Sequence, residues 1–136
     1  MGAWGTDSFG NDDAADWAFQ LEGYDDLSLV EETIAKVVAP PAEYLDASEA
    51  SEAIAAVEAV ARLQGNWGKR SAYTEPLDVW VERVKLTPQV TLVKQALAAL
   101  DRIVAEHSEL RELWDDSEEA EAWLAAVAEL RGRVRR

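Results

Sequence analysis

Apolar positions recur along this chain at three- and four-residue spacing, and the residues between the runs are ones that start or stop helices. Ala14, Trp17, Ala18 and Leu21 share one face; Asn11 stands ahead of them as an N-cap, and Gly23 ends the run. Leu27, Val30, Ile34, Val37 and Val38 form a second helix that Pro40 and Pro41 terminate. Asp46 followed by Glu49 has capping-box spacing, and Ala50, Ile54, Val57, Val60 and Ala61 carry a third helix up to Gly65. Residues 65–75 lack periodicity and read as the longest internal loop, after which Leu77, Trp80, Val81 and Val84 define a short fourth helix.

Thr87 and Pro88 read as the N-cap and first residue of a fifth helix. Its stripe, Val90, Val93, Leu97, Leu100 and Val104, is widened by Leu92, Ala96, Ala99 and Ile103, which predicts a central position. Leu110, Leu113 and Trp114 mark a short helix, and Asp116 with Glu119 reads as the capping box of a last one carrying Trp123, Leu124, Val127, Leu130 and Val134. No strand-like alternation competes. The pattern predicts an all-α fold, a single domain over residues 1–136 with six or seven helices packed around the fifth. Trp17, Ile54, Val57, Trp80, Leu97, Leu100, Trp114 and Leu124 are its expected core, and the Gly/Trp tail, residues 1–10, is expected to fold back onto it through Trp4 and Phe9.

Composition adds an electrostatic asymmetry. The net charge is −14, and residues 1–60 hold fourteen acids against Lys36 alone, whereas the remainder is close to neutral. Such a field repels phosphate backbones and argues against a nucleic-acid ligand; it suits a basic partner protein or a metal ion, besides keeping a small protein in solution. There is no Cys, hence no disulfide and no thiolate chemistry. No apolar run has membrane-spanning length and the N-terminus has no signal-like region, so the expectation is a cytoplasmic protein without membrane contact.

The residues Gly2, Ala3, Trp4 and Gly5, with Phe9, Asn11, Asp12, Asp13, Ala14, Asp16 and Trp17, together with SELRELW and a later Trp-Leu before ELR, resemble a bacterial family catalogued as domain of unknown function four-two-five-nine. The likeness covers essentially the whole chain; where the family usually has Glu before the Asn, this sequence has Gly10. The resemblance implies a compact cytoplasmic domain and no particular activity.

Asp12, Asp13 and Asp16 spell D-D-x-x-D, a spacing that can hold magnesium and, through it, a phosphorylated compound. Acids in a first turn are also what capping and the helix dipole select, and only Asp13 borders the apolar stripe. The pairs Glu49 and Glu52, Glu109 and Glu112, and Glu118 and Glu121 have metal-binding spacing but read as solvated faces. Glu58, set among alanines, reads as a boundary ion pair with Arg62, and His107 as a cation near the end of the fifth helix. Trp4 and Trp67, in irregular segments, are the candidate interaction residues. No catalytic or cofactor-binding set is assigned. Two readings follow: a non-enzymatic interaction or regulatory module, immunity-like, with a basic partner; or a small magnesium-dependent enzyme acting on a phosphorylated compound through the three aspartates.

Overall fold

The computed structural model describes residues 12–38, 44–72 and 74–135. They form seven helices: α1 (Asp12–Leu21), α2 (Ser28–Val38), α3 (Ala47–Leu63), α4 (Glu75–Val84), α5 (Val90–Ile103), α6 (Glu109–Asp115) and α7 (Ala120–Arg135). The fold is an all-α bundle, as the periodicity predicts. The tail with Trp4, Phe9 and Asn11, and the Pro40–Pro41 pair, lie outside the described residues.

The central helix is α3 rather than α5. It packs against all six others, and every residue from Ala53 to Arg62 is buried. The cause is its composition: from Ala53 onward alanines and valines lie on every side, so only Glu58 and Arg62 interrupt an apolar surface, and such a segment belongs inside. In α5 the buried face is the one carrying Leu92, Ala96, Ala99, Leu100 and Ile103, whereas Val90 is 70% exposed and Leu97 only half-buried. Leu124 of α7 is likewise half-buried, while Trp17, Ile54, Val57, Trp80, Leu100 and Trp114 are buried as expected, and Trp123 is buried with them.

Caps fix both ends of α3. Asp46 accepts hydrogen bonds from the Ser48 and Glu49 amides at 2.8 and 3.2 Å, and Glu109 of α6 takes the Ala47 amide at 2.8 Å. The free N–H groups that open α3 are thus met by two carboxylates, which also suit its dipole. At the other end Gly65 adopts φ 87°. The Asn66 amide bonds to Ala61 O and the Gly65 amide to Arg62 O, both at 2.9 Å, the paired closure that a left-handed glycine permits.

Two expected starts shift. Helix α5 begins at Val90 with Gln89 as its cap, so Thr87 and Pro88 belong to the incoming chain. Asp116 closes α6 instead of opening α7. Between α2 and α3, Leu45 makes an isolated bridge to Ser108, bonding to His107 O at 2.7 Å and accepting from Glu109 N at 2.9 Å. Buried indoles satisfy their N–H groups: Trp17 donates to Thr33 Oγ1 at 2.8 Å and Trp80 to Tyr24 O at 2.9 Å. No helix among the described residues is long and apolar enough to cross a membrane.

Candidate functional site

The first candidate is the acidic face where α1 and α2 pack on α3. Asp12, Asp13 and Asp16 are all exposed on α1, which buries Ala14, Trp17, Ala18 and Leu21. Asp13 accepts the Ser48 hydroxyl at 3.1 Å, fastening α1 to the start of α3. Among the described residues no group of three or more acids and histidines is placed to hold a metal ion, the three aspartates included. Asp13, Asp46 and Glu49 nevertheless act together on Glu52. Partial burial raises its pKa first, the three carboxylates add to the shift, and Lys36 opposes it.

The second candidate is a buried ionic network at the opposite end of α3. Glu58 is 3% exposed and fully inside, not at a boundary. Its carboxylate accepts two bonds from Arg133 of α7, at 2.6 and 3.0 Å, and lies 3.3 Å from Arg62 Nε. Arg62 donates to Asp78 of α4 at 2.7 Å and to Lys69 O at 3.1 Å, while Asp78 also accepts the Thr74 hydroxyl at 2.7 Å. Arg133 reaches Glu129 at 2.7 Å and Asn66 O at 3.4 Å, and its own carbonyl accepts from Asn66 Nδ2 at 2.7 Å. Burial works against the charge on Arg133, but its bonds to Glu58 and Glu129 outweigh that cost and hold its pKa above the ordinary value. Two buried carboxylates, Glu58 and Asp78, and two guanidiniums thus tie α3, α4, α7 and the 64–72 segment into one unit, with Glu129 bracing Arg133 from its own helix.

Trp67 stands on the rim of this network. It is half-buried, with the Arg70 guanidinium 3.8 Å and the Arg62 guanidinium 5.4 Å from its ring centre, so cation–π contacts already engage it. Beside it lies a cleft of about 510 Å³ lined by Arg62, Leu63, Gly65, Trp67, Val81, Glu82, Lys85, Leu86 and Thr87. A second hollow of about 310 Å³ lies where α5 meets α6, lined by Glu106, His107, Arg111, Glu112 and Asp115 among others. His107 there is exposed, at φ 64°, and its carbonyl accepts from Leu45 and Arg102. The Tyr44 hydroxyl donates to Glu112 at 2.7 Å, and that bond, with burial and the charges of Glu112 and Glu109, pushes the phenol up to about 12.

The sequence profile of the family described as Domain of unknown function (DUF4259) matches residues 2–126. The chain belongs to that family. No curated protein and no solved structure is significantly similar to it. In this DUF4259 chain the matched span takes in the acidic face, Glu58, Trp67, Asp78 and Lys85, and ends before Arg133. Asp78, Arg133 and Lys85 are the residues that pattern reading passes over: Asp78 and Arg133 sit where a polar helix face and a cationic helix end are expected, and Lys85 is a single exposed lysine.

Proposed function

We propose that this DUF4259 protein is a non-enzymatic interaction module that docks a basic protein surface on the face formed by α1, α2 and the start of α3. One observation carries the reading: Asp12, Asp13, Asp16, Glu31, Glu32, Asp46 and Glu49 are all exposed across these packed elements, with Lys36 the only cation. A dense field of one sign accelerates encounter with a complementary surface and rejects like-charged partners. The ionisable groups inside the fold are bonded to one another, which fits a scaffold role for them.

The test is retention of partners from the native cell on immobilised parent protein and on a variant carrying Asp13→Lys, Glu32→Lys and Glu49→Lys. A basic protein held by the parent in low salt, eluted by raised salt and lost from the variant, is the expected result. Equal retention by both baits would refute the reading.

A further inference from the structure

We propose that the cleft between the C-terminal ends of α3 and α4 and the chain entering α5 binds a small apolar carboxylate, held at its charged end by Lys85. The cleft is remote in kind from the acidic face and the inference does not rest on the docking role. Its volume of about 510 Å³ falls within the ~300–1,000 Å³ usual for small-molecule sites. Leu63, Val81 and Leu86 supply aliphatic wall and Trp67 an aromatic one, surfaces that favour an apolar body.

The charged lining sets the sign of the ligand's head. Glu82 is within 3.7 Å of Arg70, and Arg62 is committed to Glu58, Asp78 and Lys69 O. Lys85 makes no ion pair among the described residues, so the cleft's uncompensated charge is an ammonium. A mixed lining whose apolar part is Leu63, Trp67, Val81 and Leu86, with Lys85 its one cation that makes no ion pair among the described residues, fits an aliphatic or aromatic acid. An amine would meet that ammonium with repulsion, and a neutral amide would forgo the charge-assisted bond.

Lys85 is also one of two described non-glycine residues at positive φ, at φ 50° and ψ 43°, where it closes α4 by bonding to Val81 O at 3.1 Å. Glycine or asparagine adopts this conformation with less strain than lysine, whose charge at this helix end also suits the dipole. The same geometry provides clean variants, since Lys85→Gly and Lys85→Asn remove the ammonium without disturbing the backbone.

The test follows the Trp67 indole N–H by nuclear magnetic resonance in the full-length protein, with the signal assigned through Trp67→Phe. Hexanoate, hexanamide, N-acetyl-leucine and N-acetyl-leucinamide are titrated in turn. The acids are expected to give saturable shifts, with the matching amides roughly tenfold weaker, and both Lys85 variants should lose about fivefold for the acids while binding the amides as the parent does. Tighter binding of hexanoate points to a simple aliphatic acid and tighter binding of N-acetyl-leucine to an acylated amino acid, both small apolar carboxylates, and either supports the proposal. It is overturned if neither acid saturates by about 20 mM, if acid and amide titrate alike, or if folded Lys85 variants bind the acids as the parent does.

Discussion

Replacing Arg133 with methionine probes the buried network at its most sensitive point. The substitution keeps much of the aliphatic stem but removes both bonds to Glu58, at 2.6 and 3.0 Å, leaving a carboxylate that is 3% exposed. Its remaining charge partner, Arg62 at 3.3 Å, is shared with Asp78. Breaking a buried pair from one side costs about 3–5 kcal/mol, because the carboxylate left behind loses its bidentate partner without gaining water in return. Against a total stability of ~5–15 kcal/mol that is a large fraction, equivalent to a fall of roughly 10–20 °C in Tm at this chain length. Urea unfolding followed by helical circular dichroism and by tryptophan fluorescence reads it directly. Adding Glu58→Leu should return most of the loss, since an apolar pair of similar volume is often as stable as the ions it replaces. A cost below about 1 kcal/mol for Arg133→Met, or no recovery in the double variant, would show that Glu58 is not a buried charge dependent on Arg133.

A methyl at Gly68 would stand 2.6 to 2.9 Å from three atoms of the Arg133 guanidinium, which its bonds to Glu58 hold in place, so Gly68→Ala should cost ~1–3 kcal/mol in the parent and much less in Arg133→Met. Leu100→Ala should cost about 2–5 kcal/mol in urea and Leu97→Ala distinctly less, because Leu100 is 1% exposed and Leu97 half-buried. Partial burial and the neighbouring carboxylates hold the Glu52 pKa above its ordinary value, so its ionisation works against the fold; Glu52→Gln should raise the urea midpoint slightly at pH 7, a gain that disappears as the pH falls below the ordinary carboxylate range. The Tyr44 phenol should titrate near 12 by ultraviolet absorbance, and Glu112→Leu should bring it back toward 10. Millimolar magnesium tests the three aspartates directly: a rise in Tm that Asp12→Asn abolishes would assign them as a metal site, and an unchanged Tm would refute that assignment and leave Asp13 with its structural bond to Ser48.

Helix existence was legible because local signals agreed: the first two helices each pair an apolar stripe with a stop residue, α4 shows its stripe of Leu77, Trp80 and Val81, and Asp46 caps α3 where its spacing places it. The register of α5 was not. Its bulky β-branched residues suggested one face, yet the bundle buries the neighbouring one, on which Ala96 and Ala99 allow close approach to α2, α3 and α7. Asp116 has the right type and spacing for an N-cap and is used as a C-cap, because the chain turns once more through Ser117 before α7 begins.

The candidate site was hidden for a related reason. Charges on a helix are read as its wet side, and Arg133 in a C-terminal turn satisfies the dipole rule well enough to need no partner. What separates it from that role is a contact with Glu58, 75 residues away in sequence, which no local window contains. Glu58 did carry a usable signal. A wheel places it at the edge of a stripe, but a helix segment lined with alanine on every side has no edge, and Ala55, Ala56, Ala59 and Ala61 are all fully buried. A carboxylate inside such a helix must find cations or lose its charge, and Arg62, four residues on, is itself drawn inside and bound to Asp78. Glu58 therefore calls for a second cation from a distant part of the chain, and the cluster of arginines at the C-terminus is where the sequence offers one.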